Sequence, residues 1–399
     1  MDVGEITLLV LLDLSKCFDV IDHSKLITKL QLYGIDSEWF ESYLSDHYQY
    51  VRLDSKESGQ DNPVRNQNSP NLASSPGSLK SKPAKNPIGV YQGTCLGPLL
   101  FSIFSNDLSL HVSPNVKIIQ YCDDTQIIVT GQKCNIRHMI LEMENALAKL
   151  HLWFTQNSMK LNSNKTQLIV LGTRQMLRDI PSISLTLNGA TVSESKRVKN
   201  LGLIMDKHLS FEPHVDRMVG KCTGLLLGLF HARHRLPRET LKPLVNSLIL
   251  SSLRYCISVY GSCSAQCLHR VQKVINFSAR VITGRRRSDR ISDAVRDLGW
   301  LPAREMAQYH ALCLLKRIMV AGEPAALAHQ IMTRRAHRDR PTRQDTDLCL
   351  PRIRSESGRR SFVYRAPAAF NTIPVGIRSG TPSQFKRMIR KRLRCAAGQ

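Results

Sequence analysis

The first half of this chain alternates short apolar, β-branched runs with polar turns, and the second half shifts to helical spacing. Residues 7–13 (TLLVLLD) form an apolar run that ends in Asp13. Residues 116–129 (VKIIQYCDDTQIIV) place two such runs on either side of adjacent aspartates, which predicts a hairpin with Asp123 and Asp124 at its tip. Residues 23–35 and 37–46 predict two short helices, each opening near a capping residue. Residues 48–53 alternate like a strand. A helix is expected over 99–110 after Gly97-Pro98, and a longer amphipathic one over 135–156. Strands are expected over 165–171, 183–187 and 198–205. From Phe211 onward Leu, Ile and Val recur at helical spacing, predicting helices over 212–235, 237–259, 264–283 and 303–320.

Two stretches break this patterning. Residues 55–87 are rich in Ser, Asn, Pro and Lys and nearly free of apolar side chains, the composition of a disordered linker. Much of 58–86 reads as an insertion, tolerable because loop-closure entropy grows slowly with length. Residues 334–360 are Arg-rich and read as a loop or disordered segment. The expected organisation is therefore 1–210 with an insertion at 55–87, a helical region over 211–330, and a basic extension over 331–399.

Charge changes the picture. The 399 residues carry a net charge of +24, and the stretch 280–399 holds 26 Lys and Arg against 9 Asp and Glu, so +17 of the +24 lies there. Such a one-sided excess points to a phosphate-bearing partner, with an acidic membrane surface as second candidate. Near the C-terminus, Phe385, Met388, Ile389 and Leu393 share one helical face, and Lys386, Arg387, Arg390, Lys391, Arg392 and Arg394 surround it. Lys386, Arg387, Arg390, Lys391 and Arg394 are the expected nucleic-acid phosphate contacts. The 11 cysteines are scattered without a C-x-x-C, which suits a reducing, intracellular setting, nucleus or cytoplasm. Cys263, Cys267 and His269 lie in a helical stretch and make a poor zinc site. No apolar run approaches the ~20 residues a membrane span needs, so no membrane partner is expected.

Adjacent aspartates repel each other, and a hard cation is the usual compensation. Two strand-end carboxylate positions, Asp13 and the Asp123-Asp124 pair, are what two-metal phosphoryl transfer requires. Their surroundings are similar to the reverse transcriptase of non-LTR (LINE-like, jockey-related) retrotransposons, through five blocks in family order. These are residues 11–23 (LLDLSKCFDVIDH), 89–108 (GVYQGTCLGPLLFSIFSNDL), 121–126 (YCDDTQ), Trp153-Phe154 with Asn157 and 160–166 (KLNSNKT), and 198–206 (VKNLGLIMD) with 209–211 (LSF). A looser likeness continues through 366–374 (APAAFNTIP) and 383–386 (SQFK).

The resemblance implies an α+β fold: a polymerase palm of antiparallel sheet on helices, an α-helical thumb, then the basic extension. It implies an RNA-directed DNA polymerase with two Mg²⁺ ions, an RNA template, a DNA primer and deoxynucleoside triphosphates. Asp13, Asp123 and Asp124 would be the catalytic carboxylates and metal ligands, with the Leu14 carbonyl as auxiliary ligand. Lys165 would protonate the leaving pyrophosphate. Phe18 would lie under the incoming sugar and reject a 2′-hydroxyl. Gln92, Gly93 and Tyr121 would meet the template base and nucleotide, and Leu201-Gly202 would be the primer-grip turn. Departures accompany the likeness: Tyr91 stands where the family usually has Pro, and Cys17 and Cys122 where small residues are usual. Relatives also carry, upstream of the first block, basic residues that clamp the triphosphate, and an endonuclease domain. Only 12 residues precede Asp13, so weak polymerase activity is expected of this chain alone. The alternative is a non-catalytic, basic nucleic-acid-binding remnant. There is no Walker-type glycine loop, His-Glu-x-x-His or Gly-x-Ser-x-Gly to support other chemistries.

Overall fold

The computed structural model describes residues 4–46, 48–54, 78–91, 93–333 and 346–396. Gln92, residues 55–77 and residues 334–345 lie outside them, and so do the expectations placed on those positions.

A four-stranded antiparallel sheet organises the first half. Its strands are β1 (Glu5–Leu12), β2 (Lys117–Tyr121), β3 (Asp124–Gln132) and β4 (Gln167–Leu171), in the order β4-β1-β3-β2. Leu8, Leu9 and Val10 of β1 are all buried, which fits a central strand covered on both faces and explains its unbroken apolar run. One face carries Ile6, Leu8, Val10, Leu12, Ile127, Val129, Leu168 and Val170 into a core with three helices. These are α1 (His23–Leu32), α2 (Gly97–Ser105) and α3 (Ile136–Gln156). The α1 helix is capped by Asp22, whose carboxylate accepts from the Ser24 and Lys25 N–H groups. The α3 helix buries Met139, Met143, Leu147, Leu150, Trp153 and Phe154, spaced to form one stripe.

The opposite face of the sheet is smaller: Leu9, Ile169 and Leu171 pack with Val198. Beyond it lies a helical half, built on α4 (Glu212–Ala232), α5 (Ala265–Thr283), α6 (Ala303–Ala321), α7 (Phe362–Asn371) and α8 (Pro382–Ala396). Its core joins Val215, Leu253, Val271 and Leu315 to Phe370, Phe385, Ile389 and Leu393 from the chain's last 50 residues. Met205 and Leu209 touch both this core and the outer face of the sheet.

Several expected elements are redrawn. Within the stretch 55–87, Ser78–Lys80 pairs with Arg52–Asp54, and Ala84–Lys85 with Tyr48–Gln49. These ladders rest on backbone hydrogen bonds rather than an apolar face: Tyr48 and Leu53 remain well exposed. The helix expected over 99–110 is α-helical only to Ser105 and tightens to a 3-10 turn over Asn106–His111. The one expected over 237–259 breaks into Arg238–Val245, a π-turn over Asn246–Leu250, and the short helices Ser251–Arg254 and Ile257–Tyr260. Cys256, left-handed at φ 54°, separates the last two. Glu356–Arg360 is a helical turn inside the stretch read as loop. On α8, Phe385, Ile389 and Leu393 are buried as expected, but Met388 lies outside the apolar face and is 38% exposed.

Candidate active site at the sheet end

The register of the sheet brings the candidate carboxylates together. Leu12, the last residue of β1, pairs with Thr125 of β3, so Asp13 and Asp124 leave adjoining strands at the same end. Tyr121 pairs with Asp124 across the hairpin between β2 and β3, which leaves Cys122 and Asp123 as its tip. Cys122 holds the tight turn in a left-handed conformation at φ 52°, uncommon for a residue with a Cβ. The pairing that makes the sheet thus also sets these acids beside one another.

Their electrostatics follow. Burial, then Asp123, then Asp13, push the Asp124 carboxyl above its ordinary range. Asp13 Oδ2 is shielded from water without a hydrogen-bond partner; the Lys165 ammonium stands 3.5 Å from it. Burial first, and the Asp123 charge second, push the Cys17 thiol up to about 12. Cys17 is therefore a neutral thiol beside the carboxylate, not a nucleophile. Among the described residues, no group of three His, Cys, Asp or Glu side chains is placed to hold a metal ion. The carboxylates line an open edge.

Beside Asp123 is a cavity of about 330 Å³, walled by Lys16, Cys17, Phe18, Tyr91, Gly93 and Pro98. Phe18 is set by packing against Phe101 of α2, the rings tilted by 35° with centroids 5.0 Å apart. Gly93 turns the chain at φ +85°, a conformation that glycine adopts without steric cost. The segment carrying Phe18 is laced to the segment before Gly93: Gly89 N donates to Ile21 O and Val90 N to Phe18 O, both at 2.7 Å. Leu14 is buried and pairs with Leu161 in a two-residue ladder.

The hairpin Arg197–Asn200 and Leu203–Asp206 closes the other side. Its turn, Leu201-Gly202, has two successive positive φ values, 45° and 83°. Two contacts fix it, neither evident from linear spacing. Gln126 Nε2, two residues after Asp124, donates to Asn200 Oδ1 at 3.1 Å. The Tyr255 hydroxyl donates to Leu201 O at 2.5 Å. The Tyr255 ring also stands 3.4 Å from where a Cβ on residue 202 would lie. Tyr121, largely exposed, is close enough to affect the Tyr255 phenol.

Asp13, Asp123, Asp124, Lys165, Phe18 and Gly93 thus gather at one end of the sheet. Leu14 follows Asp13, and Tyr121 and Leu201-Gly202 flank the group. The basic residues Lys386, Arg387, Arg390, Lys391 and Arg394 form a separate group on α8.

Comparison with known proteins identifies a family. The profile of the reverse transcriptase (RNA-dependent DNA polymerase) family matches residues 2–205. A probable RNA-directed DNA polymerase from transposon BS of Drosophila melanogaster is 25% identical over 291 residues, covering 69% of this chain and 28% of that protein. The RNA-directed DNA polymerase from mobile element jockey of Drosophila funebris is 26% identical over 282 residues, covering 63% of this chain and 29% of its own length. Apo telomerase from Candida tropicalis aligns over 80% of this chain and 51% of that one, at 10% identity and a TM-score of 0.31, too slight a likeness to bear on the fold. The chain spans less than a third of the length of the curated relatives it matches.

Proposed function

Because the chain belongs to the reverse transcriptase (RNA-dependent DNA polymerase) family, we propose that its sheet is a polymerase palm whose end carries RNA-templated nucleotidyl transfer. The helical half would be the thumb, and the partners an RNA template, a DNA primer and deoxynucleoside triphosphates. The observation that carries this reading is the convergence of Asp13, Asp123 and Asp124 on one edge, close enough for the first two to raise the third.

The donor chemistry suits Mg²⁺, although among the described residues the three carboxylates are not arranged as a group that holds a metal ion. All three groups are hard carboxylate oxygens, one of them without a hydrogen-bond donor, and a cation would relieve their mutual repulsion. Asp13, Asp123, Asp124 and the Leu14 carbonyl would hold it; when bound, it lowers the pKa of the primer 3′-hydroxyl and neutralises the departing pyrophosphate. The chain's own residues do the rest. The cavity between Phe18, Tyr91 and Gly93 receives the nucleotide, and the Phe18 ring occupies the space that a 2′-hydroxyl would need. Lys165, ion-paired with Asp13 and exposed to solvent, is placed to give its proton to the pyrophosphate as the bridging P–O bond breaks. The Leu201-Gly202 turn offers backbone to the primer terminus.

A second reading, nucleic-acid binding without catalysis, rests on the cation that Asp13 already has beside it, Lys165. Primer extension on an RNA template with Mg²⁺ separates the two. Polymerisation predicts extension that Asp123→Asn lowers at least ~100-fold, the scale of losing a group needed in the transition state. Template binding with no extension by the unaltered chain favours the second reading.

A further inference from the structure

Among the described residues, a concentration of positive charge without ion pairs lies on α8, in a group separate from the carboxylates. A groove of about 730 Å³ runs along α8, walled by Lys386, Arg387, Arg390, Lys391 and Arg394, with Tyr309 of α6 opposite. It adjoins a smaller recess of about 170 Å³ that shares Arg390 and Tyr309 and adds Arg254 and His310. Among the described residues, none of the five α8 cations makes an ion pair, and neither does Arg254. Arg390 and Arg394 are held in place by hydrogen bonds to Gly299 O and Arg296 O, at 3.0 and 2.8 Å. Those carbonyls fix the guanidinium groups without cancelling their charge.

Arg254 is the telling residue. It is half-buried, and burial and the neighbouring Arg390 both disfavour its charge. A guanidinium cannot escape by losing its proton, so the cost persists until an anion arrives. His310 can escape, and burial together with the same two arginines holds it toward the neutral form. Packing alone would be better served at position 254 by an apolar side chain.

We propose that the α8 groove, together with the adjoining recess that holds Arg254, is a binding site for the sugar–phosphate backbone of a single nucleic-acid strand, separate from the polymerase centre. Spaced phosphates suit cations on successive turns of one helix, and the Tyr309 ring gives a base a flat surface. The site stands on the groove alone and does not require the chain to polymerise.

The test is binding of fluorescently labelled single-stranded RNA and single-stranded DNA by anisotropy across a salt series, with the full chain. Each phosphate contact contributes about 0.7 log units of affinity per tenfold change in salt for single strands. Lys386→Gln/Lys391→Gln should flatten the slope by about 1.4. Both side chains are exposed, so the melting temperature should hold. Arg254→Gln should flatten the slope by about 0.7 and raise the melting temperature of the free protein, since it removes an uncompensated charge. That pairing of weaker binding with greater stability is not expected of a structural arginine. Equal effects on both strands assign the site to the backbone in general, and a larger effect on RNA assigns it to RNA. Unchanged slopes in both variants overturn the proposal. So does loss of binding to phosphatidylserine vesicles while nucleic-acid binding stays intact, which would make the groove a membrane contact. The readout here is strand binding alone, and the polymerase reading is tested by primer extension with the unaltered chain, so a failure of that reading remains distinguishable from a failure here.

Discussion

Gly89→Ala tests how the wall of the cavity beside Asp123 is held. Gly89 has φ +87°, and a Cβ there would lie 2.8 Å from Asp19 O, 3.0 Å from Asp19 C and 3.1 Å from Asp19 Cα. All three are backbone atoms, so no side chain can swing aside. The left-handed conformation alone costs an alanine about 1–2 kcal/mol. Relief of the contact must part the two segments, which are joined by the 2.7 Å hydrogen bonds Gly89 N to Ile21 O and Val90 N to Phe18 O. Stretching both costs about 1–3 kcal/mol more, at a typical net value per bond. The expected loss is about 2–5 kcal/mol, a large part of the ~5–15 kcal/mol that usually separates folded from unfolded states. Gly189 supplies the comparison. It also has positive φ, +75°, but nothing lies within 4 Å of the added carbon, so Gly189→Ala should lose only the conformational ~1–2 kcal/mol. Urea denaturation followed by tryptophan fluorescence measures both. Equal losses would show that the Asp19 backbone yields freely and that the wall is not fixed by this contact.

Other consequences are as direct. Lys29 bonds Asp107 at 2.8 Å and Phe104 O at 2.6 Å, with its ammonium 4.6 Å from the Phe104 and Trp153 ring centroids. Lys29→Met should cost about 2–3 kcal/mol in a urea melt, and adding Asp107→Leu should recover part of it; no recovery would mean that the loss is one of packing. His214 is held below its ordinary pKa by burial and then Arg217, and His310 by burial and then Arg254 and Arg390. Their contribution is intact above the unfolded value near 6.5 and disappears as pH falls through it toward the lower folded values. The melting temperature should therefore be level above about pH 7 and decline from about 6.5 to 5, less steeply in His310→Gln, and a flat profile would refute this. Tyr255→Phe removes the hydrogen bond to Leu201 O and should raise the KM for primer with little change in melting temperature; an unchanged KM would detach this turn from the primer.

The sheet and its acids were legible because their determinants are local. β-branched runs end at Asp13 and flank Asp123-Asp124, and once those runs pair, the acids meet. The long helices were legible for the same reason, since α3 and α5 each carry one apolar stripe. Contacts between distant residues were not. Nothing in the sequence marks Tyr255 as the support of a turn 54 residues earlier, or Gln126 as the partner of Asn200. The strands over 78–85 were hidden because their pairing uses only backbone groups that every residue has. The break at Tyr255-Cys256 was hidden because the apolar spacing runs on through it, while Tyr260, buried and bonded through its hydroxyl to Leu253 O, sets the local turn. Gln92 and the insertion at 55–77 fall outside the described residues.

The hydrogen bond between Gln126 and Asn200 has a mechanical consequence. Asp124 and Gln126 share one strand, and Asn200 borders the Leu201-Gly202 turn, so the acids and the turn belong to one stiff piece. That bond, worth about 1 kcal/mol net, sets the span between them and resists its change. On the proposed reading, a strand seated against both would be spaced by it, and Asn200→Ala should loosen that spacing.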